Sequence, residues 1–187
     1  MRIESKFAIK LPDALPSEVA CPFICGGGTM FEPVVNYVTN GTRVAIASVG
    51  GLGTAGIKFA KSFGGYVTAL SRSEEKRSKA LSAGADEFYA CLGNAEATSE
   101  LAGKFDVIID TSPANSDVGA FMDLLKFDGT YCRVGIPSAD DMVFKFDFPL
   151  IVNIFLHLQC RLVCSSLALT FYMLILKQTV HTEKDCR

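Results

Sequence analysis

Arg43-Val44-Ala45-Ile46-Ala47-Ser48-Val49-Gly50-Gly51-Leu52-Gly53-Thr54 is the stretch on which the fold turns. Arg43 to Val49 is a short apolar run followed by glycines, the pattern of a buried strand. From Thr54 to Phe63 the apolar residues Ile57, Phe59, Ala60 and Phe63 share one helical face, and Gly64-Gly65 stops that helix. Outward from there the alternation continues. Tyr66 to Leu70 reads as a second strand and Glu74 to Ala83 as a charged helix, with Ser71 and Glu74 spaced as a capping box and Gly84 beyond its end. Glu87 to Ala90 and Phe105 to Asp110 read as the third and fourth strands. Asp117 to Phe127 reads as a helix, and Asp128-Gly129 turns the chain into a fifth strand from Thr130 to Gly135. Strands separated by helices of this length imply right-handed crossovers and a parallel sheet covered on both faces. The predicted class is α/β with a doubly wound parallel sheet, which places ligands at the carboxyl ends of the strands.

The rest of the chain is read around this core. In the lead-in, residues 1–41, prolines and glycines recur: Pro12, Pro16, Pro22, Gly26, Gly27, Gly28 and Pro33. One helical turn is expected at Ser17 to Ala20, and a short helix from Thr29 towards Tyr37 with Pro33 in its first turn. The core domain is set at residues 42–150 and a divergent apolar tail at 151–187. The chain is 187 residues long, 49% hydrophobic, with 18 Lys+Arg against 20 Asp+Glu. That excludes general disorder and gives no basic footprint for nucleic acid. Seven Cys, an odd number, do not form a disulfide framework. Met1 to Lys6 has no apolar signal core, so a cytoplasmic protein with reduced thiols is expected.

The turn Ser48-Val49-Gly50-Gly51-Leu52-Gly53 aligns with the dinucleotide fingerprint, with Ser48 where the first glycine belongs. Gly50 lets the backbone approach a pyrophosphate, Gly53 allows close packing of helix on strand, and the helix N-terminus offers free N–H groups. Cofactor choice is read at the end of the second strand. There the chain has Ser71-Arg72-Ser73, with Lys76 and Arg77 on the next turn, and lacks the acidic residue an NAD ribose asks for. Hydroxyls and cations suit a 2′-phosphate, so NADP(H) is favoured over NAD(H).

These residues resemble the cofactor-binding half of the zinc-dependent medium-chain alcohol dehydrogenases, in their cinnamyl alcohol dehydrogenase-like, NADP-dependent branch. Further likeness lies in Phe7 to Pro12, in Cys25-Gly26 with Thr29, and in Lys58-Phe59-Ala60-Lys61. It continues in Gly84-Ala85-Asp86, Asp110-Thr111, Leu124 to Gly129 and Val134-Gly135-Ile136-Pro137. The resemblance implies a Rossmann domain joined to a GroES-like catalytic domain. It implies hydride transfer between a nicotinamide and a primary alcohol or aldehyde, with Zn²⁺ polarising the substrate oxygen. Residue by residue, it places Cys25 at a catalytic zinc ligand. It places Thr29, Ser48, Gly50, Gly51, Leu52, Gly53, Ser71, Arg72, Ser73, Lys76, Arg77, Thr111, Gly135 and Ile136 along the cofactor.

The departures from the family pattern are informative. Its remaining zinc ligands and the GroES-like domain are expected to lie upstream of this chain. A lone Cys25 falls short of the three or so protein ligands a catalytic zinc takes, so zinc binding and complete catalysis by this chain are not expected. Ile154 to Leu162 alternates with period two and can form an edge strand, the edge through which the family pairs two copies. Leu162 to Leu176 is uncharged but shorter than the ~20 residues of a membrane span, so a buried helix or non-native tail is expected there. Three alternatives stay open: a non-catalytic cofactor-binding or interaction module, a zinc-free quinone reductase-like enzyme, and a membrane anchor through 162–176.

Overall fold

The computed structural model describes residues 10–112, 116–135 and the backbone of 161–164. β1 (Arg43–Ala47), β2 (Tyr66–Leu70), β3 (Glu87–Tyr89), β4 (Phe105–Asp110), β5 (Leu125–Arg133) and β6 (Arg161–Cys164) form one sheet in the order β3-β2-β1-β4-β5-β6. Every neighbouring pair is parallel. The order reverses between β1 and β4, which opens a crevice at their carboxyl ends.

β1 explains the two covered faces. Val44, Ala45, Ile46 and Ala47 are all fully buried, and successive side chains point to opposite sides. Val44 and Ile46 join Val67, Ala69, Val107 and Ile109 beneath the helices that carry Met30, Val34, Ile57 and Ala60. Those helices are α2 (Gly28–Tyr37) and α3 (Gly51–Ser62). Ala45 and Ala47 join Leu70, Ile108 and Tyr131 on the other side, under Leu101, Phe121 and Leu124. That layer includes α6 (Val118–Leu124). The predicted class is therefore the observed one.

Several local expectations are corrected. The lead-in is a nearly unbroken helical run: α1 (Ser17–Pro22), a π turn (Phe23–Gly27) and α2. Pro33 sits inside α2 rather than in its first turn. The glycines do not interrupt this run. A Cβ on Gly27 would fall 2.7 Å from the Phe23 ring, so a glycine lets the turn close over that aromatic. β1 stops at Ala47 instead of Val49, because Ser48 turns to φ 73. α3 starts at Gly51, earlier than Thr54.

The capping box at Ser71 and Glu74 does not form. Ser73 is the cap, and its hydroxyl accepts from the Glu75 N–H ahead of a 3₁₀ turn (Glu74–Lys76) and α4 (Arg77–Ser82). A helix with no earlier counterpart, α5 (Ala95–Ser99), is capped by Asn94. The helix predicted to reach Phe127 ends at Leu124, where Leu125 becomes extended and pairs with Phe105. Asp128-Gly129 lies within β5, where the register jumps from Phe105↔Leu125 to Val107↔Thr130 and Asp128 takes φ 65. An edge strand exists, but at Arg161–Cys164, which overlaps the start of the uncharged run. The alternating stretch 154–160 and residues 165–187 lie outside the described residues.

Candidate functional site

The turn after β1 is shaped by its backbone. Ser48 at φ 73 occupies the left-handed region, which costs an L-residue about 1–2 kcal/mol. Its neighbours hold it there. The Ser48 N–H donates to the Leu70 carbonyl at 2.9 Å. The Thr111 hydroxyl donates to both the Ala47 and Ser48 carbonyls, each at 2.9 Å. Gly53 is pressed beneath: a Cβ there would stand 2.0 Å from the Ser48 carbonyl oxygen. Gly50 begins α3 without any side-chain cap, and its carbonyl accepts the Thr54 hydroxyl at 2.6 Å. A Cβ on Gly50 or Gly51 would meet nothing within 4 Å. The first turn of α3 thus presents bare backbone N–H groups to open space, the arrangement that receives an anion.

Ser48, Val49 and Gly50 form one side of a cavity of about 460 Å³. Ser71, Arg72, Ser73 and Lys76, after β2, form its second side. Ser71 is buried and stitches the neighbouring segments, donating its N–H to Tyr89 and accepting from the Leu92 N–H. Arg72 and Lys76 are exposed, and among the described residues neither has an ion-pair partner. Glu74, two residues on from Arg72, is occupied. It accepts two bonds from Arg77, at 2.7 and 2.8 Å, and these hold its pKa below the ordinary glutamate value. Arg77 is thereby turned away from the cavity and lies over the Phe88 ring, 4.8 Å from its centre.

The third side is the loop after β4, with the start of α6. Asp110, fully buried, accepts the Tyr131 hydroxyl at 2.8 Å and the Ser112 N–H at 2.9 Å. Burial, and then the Asp110 carboxylate, push the Tyr131 phenol far above the usual tyrosine range. This fixes the backbone at Ser112, which lines the cavity with Ser116, Asp117, Ala120 and Phe121. Asp117 caps α6 by accepting from the Ala120 N–H at 3.1 Å. The Ser116 hydroxyl oxygen is shut off from solvent and, among the described residues, has no hydrogen-bond partner. Leu92, Gly93 and Thr98, after β3, complete the wall.

The residues predicted from sequence therefore fall into groups. Ser48, Gly50, Ser71, Arg72, Ser73 and Lys76 are brought together around one cavity. Gly51, Leu52, Gly53, Thr111, Gly135, Thr29 and Arg77 do not line it. Gly53 and Thr111 act on the turn from beneath. Gly135 lets the chain after β5 lie on the β4 loop, since a Cβ would stand 2.0 Å from the Ser112 carbonyl oxygen. Thr29 is buried in α2, and Ile136 lies outside the described residues. Cys25 is exposed on the π turn, and among the described residues no three His, Cys, Asp or Glu side chains gather as a metal site. The walls after β3 and β4 escaped sequence reasoning. Their only signal was position, just past the carboxyl ends of strands. No helix of the described residues is long and apolar enough to cross a membrane.

Comparison with known proteins gives a consistent picture. The model of the zinc-binding dehydrogenase family matches residues 51–165. A probable formaldehyde dehydrogenase, AdhA, of Bacillus subtilis is 43% identical over 140 residues, 74% of this chain and 40% of its own length. NADP-dependent alcohol dehydrogenase C 1 of Mycolicibacterium smegmatis is 38% identical over 137 residues, 73% of this chain and 39% of its own length. A cinnamyl alcohol dehydrogenase of Sorghum bicolor superimposes with a TM-score of 0.75 at 31% identity, covering 86% of this chain and 45% of that one. The CAD of Helicobacter pylori, solved with NADP(H), gives 0.73 at 29% identity, covering 84% and 43%. The chain spans about two fifths of the length of the curated relatives it matches.

Proposed function

The chain belongs to the zinc-binding dehydrogenase family, and on that premise we propose that its cavity binds NADP(H) for an alcohol or aldehyde oxidoreductase reaction. The observation that carries the cofactor choice is the rim after β2. Arg72 and Lys76 stand there beside two serine hydroxyls without an ion-pair partner among the described residues, while the neighbouring Glu74 is held by Arg77. A 2′-phosphate offers negative charge and acceptors only, so it matches this rim, whereas a free ribose 2′-hydroxyl would seek the missing carboxylate. The pyrophosphate belongs at Gly50 and the first turn of α3, where no Cβ intrudes. Thr111 and Gly135 serve the same site from behind, by fixing the turn and the β4 loop.

The bound nicotinamide would supply hydride chemistry; the relatives named as alcohol dehydrogenases support an alcohol as its partner. Cys25 is exposed on the π turn, and among the described residues no three His, Cys, Asp or Glu side chains gather around it. A second reading has this chain bind the cofactor without turning over an alcohol. The chain has no Trp, so binding is followed through the cofactor's own emission. Saturable enhancement of NADPH fluorescence at one site per chain is the expected result; its absence would sink the proposal. Alcohol oxidation with added Zn²⁺ separates the two readings.

A further inference from the structure

Arg72 and Lys76 line the cavity, but Arg77, the next cation in the chain, does not. It lies in a separate groove beside β3, with Glu74, Leu81 and Phe88. Its grip on Glu74 is two-pronged: Nε donates to Oε2 at 2.7 Å and Nη2 to Oε1 at 2.8 Å. An exposed ion pair ordinarily contributes little, because two long side chains must be stilled to make it. Here the guanidinium also rests on the ring of Phe88, 4.8 Å from its centre, and Phe88 is itself a core residue. That stacking holds the guanidinium in place, so less freedom is lost when the carboxylate joins it.

Glu74 stands where it can undo the rim. Ser73 is extended, with φ −138 and ψ 138, so Arg72 and Glu74 on either side of it leave the chain in the same direction. Among the described residues Arg72 and Lys76 have no ion-pair partner. A freed Glu74 carboxylate, two residues from each, is drawn to them. There it cancels the charge that a 2′-phosphate seeks, and it repels the phosphate directly. Glu75 is not so placed, since it lines neither the cavity nor the groove. Building on the NADP(H) reading above, we propose that Arg77 sets the cofactor preference through Glu74. It is a positioning residue that keeps a competing carboxylate off the 2′-phosphate rim, without touching the cofactor.

The test compares NADPH and NADH affinities in four proteins, by cofactor fluorescence, with melting temperature as the check on folding. Arg77→Gln frees Glu74, and NADPH affinity is expected to fall about three- to tenfold while NADH affinity holds. Adding Glu74→Gln to the same chain is expected to restore NADPH binding, a rescue that a merely structural role does not permit. Lys79→Gln removes the same charge from α4 but leaves Glu74 held, and is expected to bind NADPH as the parent does. Unchanged NADPH affinity in Arg77→Gln overturns the proposal. A loss that Glu74→Gln does not restore overturns it too, since Arg77 then contacts the phosphate or supports the fold. An equal loss in Lys79→Gln, or an equal loss for both cofactors in Arg77→Gln, overturns it in favour of general charge or of structure. Failure of the parent protein to bind NADPH is a different outcome: it removes the NADP(H) reading and this inference with it.

Discussion

The turn after β1 and the loop after β4 lie on neighbouring strands, open on one cavity, and are held by opposite means. The first is fixed by backbone geometry: Ser48 at φ 73, and Gly53 directly under the Ser48 carbonyl. The second is fixed by buried side chains, with Asp110 accepting from Tyr131 and from Ser112. Thr111 ties the two together through the Ala47 and Ser48 carbonyls. The contrast teaches where each kind of construction leaves its trace. A backbone that must pass close to another restricts its residue to glycine. A side-chain bond between two strands can be made by many polar pairs, and neither partner marks itself.

Three substitutions bear on this contrast, in falling order of effect. Gly53→Ala places a methyl where the Ser48 carbonyl stands, and about 3 kcal/mol or more of stability should be lost in urea unfolding. A loss under about 1 kcal/mol would mean that the turn can open and is not fixed by its backbone. Tyr131→Phe removes the donor to a buried carboxylate, and about 2–3 kcal/mol should be lost, with weaker NADPH binding through the released Ser112 backbone. Stability and affinity both unchanged would show that the β4 loop is held by something else. Ser48→Gly relieves a left-handed L-residue but loosens the unfolded chain, for a net gain of about 0.5–1 kcal/mol. A destabilised glycine variant would contradict the claim that Ser48 is strained.

The same contrast explains what could be read from sequence. β1, α3 and the glycine turn were legible because Val44 to Ala47 is buried on both faces and Gly53 cannot be replaced without a clash. The cationic rim at Ser71-Arg72-Ser73 and Lys76 was legible because charge type is visible in sequence. Arg77 was placed with it by proximity alone; that its charge is taken up by Glu74 depends on side-chain geometry. The β4 wall was hidden because Ser112, Ser116 and Phe121 look like ordinary loop and helix residues until the fold faces them to Arg72. Pro33 misled because a proline inside a helix is normally excluded, yet here it lies within α2. The bend inside β5 was read as a turn between elements, since Asp128-Gly129 carries the same signal in either place.

On the proposed reading, the rim after β2 selects the phosphorylated cofactor, through Arg72 and Lys76. This selection is what a comparison of cofactors reads. It is tested most directly by the ratio of the NADH to the NADPH dissociation constant, for the parent protein and for the double variant Arg72→Ala, Lys76→Ala. The parent is expected to prefer NADPH, and the variant to lose about ten- to hundredfold in NADPH affinity while NADH binding barely changes. A ratio that stays the same in the variant, or a parent that prefers NADH, would contradict it.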